Sequence, residues 1–109
     1  MNNGSNGQKV KVWVEEEIKR LVPTYIQNRK NDMKAMIELA EREDFDAIQF
    51  LADIMIGSGS VFGFEFISVV GQSIQKAATD KNSRSIVGMS NALIRYLDRI
   101  EVVYVSPMT

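Results

Sequence analysis

The sequence predicts an all-α fold, an antiparallel up-and-down four-helix bundle with a short N-terminal segment. Apolar residues recur at helical spacing in four separate stretches. The connections between these stretches are only a few residues long, which favours antiparallel neighbours. Strand character is confined to 10–14, 50–56 and 102–105, too little for a doubly wound sheet. A chain of 109 residues suits one domain, placed at 10–105 between polar tails at 1–9 and 106–109.

The elements follow in order. Residues 1–9 have the Asn-, Gly- and Ser-rich composition of a flexible tail. Val10, Val12 and Val14 alternate, which sets them on one side of an extended segment. Helical character follows, with Glu15–Lys19 and Glu16–Arg20 in the favourable i,i+4 order. Pro23 interrupts this segment and suits the first turn of a new helix running to about Arg42. At ~100° per residue, Ile26, Met33, Met36, Ile37 and Ala40 share its inner face, with Lys30, Lys34, Glu38 and Arg42 largely off it. Asp44 is the expected N-cap of the next helix.

Residues 45–57, FDAIQFLADIMIG, are apolar around most of the circumference. A buried strand would also read this way, but the length and the set Ile48, Leu51, Ala52 and Met55 favour helix. GSGSVFGF then reads as a turn or helix-ending loop with a buried Phe62. The third helix spans 65–79, with Ile67, Val70, Ile74 and Ala77 inward. The fourth spans 83–101, with a stripe of Ile86, Met89, Leu93, Tyr96, Leu97 and Ile100; Ser90, Asn91, Arg95 and Asp98 lie outside it. Asn82 or Ser83 caps its start. The VVYV run either extends this helix or lies alongside the N-terminal segment.

Composition removes many functions. The chain has no histidine and no cysteine. That excludes imidazole bases and ligands, serine–histidine relays, thiolate metal sites, disulfides and phosphorylation on an imidazole. A net charge of −1 gives no basic field for nucleic acid. No apolar run approaches the ~20 residues that cross a bilayer, and MNNGSNGQK is no secretory leader. A cytoplasmic monomer without a cofactor or metal is expected, contacting neither nucleic acid nor membrane.

One helical position stands out. With Ile48, Leu51, Ala52 and Met55 inward, Asp53 lies roughly opposite the core. Gln49 and Gly57 share its face, and Phe50 and Ile56 flank it. Solvated helix faces usually carry Lys, Glu and Arg. An acid bordered by an aromatic, an isoleucine and a glycine suggests a surface that another protein covers. Alternatively, Phe50 and Ile56 simply widen the core stripe.

The stretch LADIMIGSGSVFGF, Leu51–Phe64, resembles the signature of the histidine-containing phosphotransfer domain, roughly A-H-x-x-K-G-S-x-x-x-F-G. Ala52, Gly57, Ser58, Phe62 and Gly63 match in register, and the resemblance extends from about Val10 to Val105. It implies a four-helix bundle in two-component phosphorelay signalling. It also implies a face, here Gln49, Phe50, Asp53, Ile56 and Gly57, that docks a receiver domain or a sensor histidine kinase. Two positions depart from the family. Asp53 stands where the phospho-accepting histidine falls, and Ile56 where the lysine that neutralises the phosphoryl group falls. A carboxylate can form an acyl phosphate, but without a metal or cation the two anions repel at the attacking atom. A docking or regulatory module that does not carry phosphate is therefore expected, with no catalytic residue. Phosphotransfer through Asp53 and a helical dimerisation or scaffold role are the alternatives.

Other constellations read as structural. Gly57, Gly59 and Gly63 miss dinucleotide-loop spacing by one residue and follow no strand. Glu41, Glu43, Asp44 and Asp46 lack calcium-loop spacing and form a solvated turn. Lys9, Lys11, Lys19 and Arg20 are interspersed with Glu15, Glu16 and Glu17. The six methionines serve as core filler, and Ser58 and Ser60 as helix-end hydrogen-bonding residues.

Overall fold

The structure, a computed structural model, describes residues 8–106. The expected tails fall mostly outside these residues. The protein is mainly helical. Strand β1 (Val10–Glu15) leads through a 3-10 segment (Glu16–Leu21) into α1 (Val22–Glu41). Helices α2 (Phe45–Val61), α3 (Glu65–Thr79) and α4 (Ser83–Arg99) follow, and strand β2 (Ile100–Val105) completes the described chain. Helix α2 packs most extensively on α3, and α1 on α4. One core of Met33, Met36, Ile48, Met55, Ile67, Ile74, Ile86 and Leu93 lies between the helices.

The same turn ends the first three helices. Asp44 N donates to Leu39 O at 2.9 Å, Phe64 N to Gly59 O at 2.7 Å, and Asn82 N to Ala77 O at 2.8 Å. The preceding residue is left-handed each time: Glu43 at φ 57°, Gly63 at φ 86° and Lys81 at φ 56°. These are Schellman turns, in which a left-handed residue lets the next amide reach back to an orphan helix carbonyl. Asp44 and Asn82 then cap the following helices, accepting from Ala47 N at 3.3 Å and Ser85 N at 3.1 Å. The middle turn has Phe64 in that position, buried rather than capping.

The structure corrects the sequence reading at several points. Helix α2 continues through 58–61, where a loop was expected. Ser58 Oγ donates back to Ile54 O at 2.8 Å, and Gly59 is buried against α3. Packing there outweighs the low helix propensity of Gly and Ser. Phe62 is only half-buried; Phe64 is the core aromatic of that turn. The segment after β1 is 3-10, with a kink at Ile18, rather than α-helical. Helix α4 stops at Arg99 rather than at 101, and of the two readings of the run beyond it the second holds: it lies alongside the N-terminal segment as β2, pairing in parallel with β1 from Val10↔Ile100 to Glu15↔Val105. Ser90, expected outside the stripe, is fully buried.

Candidate functional site

Helix α2 positions the candidate residues. Asp44 fixes its start, and Ile48, Ala52 and Met55 fix its rotation by burying completely. Asp53 is then exposed. Its carboxylate accepts a hydrogen bond from Gln75 Nε2 on α3. Gln49, half-buried, donates to Thr79 Oγ1 at 3.2 Å, so two amide contacts tie this rim of α2 to α3. Asp53 takes part in none of the ion pairs among the described residues.

The border of Asp53 divides. Phe50 is 66% exposed and does not widen the core. Ile56 is half-buried against α3, where a Cβ added to Gly71 would meet Ile56 Cγ1 at 3.0 Å. Gly57 opens onto space: a Cβ there would have nothing within 4 Å. Two further apolar residues were missed in the sequence. Ile54 is 38% exposed and Val61 is 73% exposed. Phe50, Ile54, Gly57 and Val61 stand at i, i+4, i+7 and i+11, one exposed stripe along α2. Ending the helix at Gly57 hid Val61; the spacing from Phe50 was the available signal.

The other residues of the signature hold the scaffold. Ala52 is core. Ser58 joins α1 to α2, hydrogen-bonded to Tyr25 Oη at 2.9 Å and accepting from Arg29 Nη1 at 3.2 Å. Phe62 stacks on Tyr25, with ring centroids 4.2 Å apart and planes within 3°. Gly63 supplies the positive φ that most side chains resist. Its missing Cβ faces Trp13 O and Val14 Cγ2, each at 3.5 Å from the Cβ position.

Arg29 is the charged residue that periodicity did not assign. It is buried, ion-paired to Asp32 at 2.8 Å, and its guanidinium lies 4.9 Å from the Tyr25 ring centre. Burial raises the Asp32 carboxyl above its ordinary value, and the Arg29 charge and hydrogen bond oppose that shift. Tyr25 and Arg29, one turn apart and off the expected inner face, were the only sequence sign of this network.

Chemically, the Asp53 rim offers an acceptor beside an apolar stripe, with no ion-paired cation on Asp53 among the described residues. Among the described residues no three acidic side chains form a group that could hold a metal ion. No helix is long and apolar enough to cross a membrane, again among the described residues. No family model, no curated protein and no solved structure matches the chain.

Proposed function

We propose that the chain is a degenerate phosphotransfer-type signalling module that docks partners and carries no phosphoryl group. In this reading the four helices form an antiparallel up-and-down bundle. Its α2 face, Gln49, Phe50, Asp53, Ile56 and Gly57, receives a receiver domain or a sensor histidine kinase, and the monomer acts as a competitor or adaptor. The observation that supports it is an exposed apolar stripe beside Asp53, which occupies the signature's acceptor position in a chain without histidine. Ile56 brings no charge, and Gln75 Nε2 already donates to Asp53 Oδ1. Phosphoryl attack would bring two anions together with no paired cation to offset them.

The test uses a radiolabelled phospho-receiver mixed with the full chain. The expected outcome is binding without transfer of label. Label that is hydroxylamine-sensitive and disappears in Asp53→Asn would overturn the non-transferring reading. The double change Asp53→His with Ile56→Lys should create acceptance of phosphate if the family resemblance holds.

A further inference from the structure

Along α2 the apolar stripe has an acidic edge on one side only. Asp46 and Asp53 are seven residues apart, so they fall on nearly the same side of the helix, about 10 Å apart along its axis. This row is the α3-facing rim, as the contacts of Asp53 with Gln75 and of Gln49 with Thr79 establish. Further along it, Ser60 Oγ donates to Glu65 Oε2 at 3.2 Å, adding a third carboxylate. Helix α2 contains no Lys or Arg between Phe45 and Val61. Lys76, the cation of α3, is turned to Asp80, 3.4 Å away. The opposite edge differs in sign. There Arg20, Thr24 and Asn28 line a groove next to Ser58.

From this asymmetry we infer that the stripe of Phe50, Ile54, Gly57 and Val61 takes an amphipathic helix whose flank facing Asp46, Asp53 and Glu65 carries Lys or Arg at heptad spacing. The inference rests on the docking reading above and adds the chemistry of the partner. Apolar side chains at i, i+4, i+7 and i+11 match the stripe that one helix presents to another. Gly57, with open space over its Cα, lets the partner backbone approach closely at the centre. Cations spaced one heptad apart recur every ~10 Å along a helix, the separation of Asp46 and Asp53. The two edges of opposite sign fix the direction in which the helix lies, because reversing it sets its basic flank against Arg20.

Two synthetic helical peptides test this, each about three heptads long with the same Leu stripe. One carries Lys on one flank, the other Glu. Each is titrated into the full ¹⁵N-labelled chain. The Lys peptide is expected to bind about tenfold more tightly at low salt, with shifts centred on Phe50, Ile54, Gly57 and Val61. Asp46→Lys with Asp53→Lys should reverse the preference, and the paired Asn changes should level it while leaving thermal unfolding near native. Equal binding, binding of neither peptide, or shifts centred on another face would overturn the inference. A doubled mass in light scattering of the chain alone, lost on Ile54→Lys, would assign the face to a second copy instead. If a receiver domain binds this face while the peptides are held equally, the docking reading stands and the charge selectivity falls.

Discussion

Gly59 of α2 lies so close to Ser68 of α3 that an added Cβ would fall 2.7 Å from the Ser68 amide nitrogen and 2.9 Å from Phe64 O. Both are backbone atoms and cannot swing aside. Gly57, two residues earlier in the same helix, has open space around its Cα. Gly59→Ala should therefore destabilise by about 1–3 kcal/mol through overpacking. Gly57→Ala should stabilise by about 0.5–1 kcal/mol through helix propensity. Urea unfolding of the two variants checks the opposite signs. Equal effects would mean that α2 and α3 are not packed this closely.

Ser90 carries a buried hydroxyl with no hydrogen-bond partner among the described residues. The unfolded chain solvates that hydroxyl, so the fold bears its desolvation. Ser90→Ala should leave stability unchanged or raise it by up to about 1 kcal/mol, read as the thermal midpoint. A loss of more than about 1 kcal/mol would reveal a partner for the hydroxyl.

The three helix-ending turns rank by residue type. Glu43 and Lys81 hold a left-handed conformation that Gly63 adopts without steric cost. Lys81→Gly and Glu43→Gly should each stabilise by up to about 1 kcal/mol, and Gly63→Ala should destabilise by about 1 kcal/mol or more. Chemical denaturation of the three variants gives the order.

Asp32 sets a pH dependence of unusual sign. Its folded carboxyl is raised above the unfolded value of 3.8, with burial as the larger cause and Arg29 opposing. A carboxyl raised on folding makes its full contribution when protonated, below the unfolded value, and loses it as pH rises through the folded value. The native chain should therefore lose stability relative to Asp32→Asn as pH rises from below the unfolded value of 3.8 through the raised folded value. Paired melting curves across that window measure the difference, and a native chain that gains on the variant would reverse the assignment.

Helix number and register were legible in the sequence because the apolar stripes of α1, α3 and α4 are regular. The caps at Asp44 and Asn82 were legible because those side chains act on amides three residues away. The outward direction of Asp53 followed from periodicity alone, whereas periodicity left Phe50 open between the outer face and the core stripe, and the structure exposes it. What stayed hidden was non-local. Ser68 Oγ donates to Ile56 O and accepts from Ser60 N, which helps hold 57–61 helical from another helix. Arg29 is buried because Tyr25, Asp32 and Ser58 converge on it, and two of these are its helical neighbours while the third comes from α2. The pairing of β1 with β2 joins segments ninety residues apart, since Val10 meets Ile100.

That pairing has a kinetic meaning. Closing a loop around all four helices costs the most chain entropy of any contact in the molecule, and two short strands return little until the helices are already packed. The sheet is therefore expected to form after the main barrier and to open before it on the way back. Weakening it, as in Val12→Ala or Val102→Ala, should speed unfolding and leave the refolding rate almost unchanged in stopped-flow denaturant jumps. On this expectation the helical core governs how fast the chain finds its fold, and the joined ends govern how long it stays there.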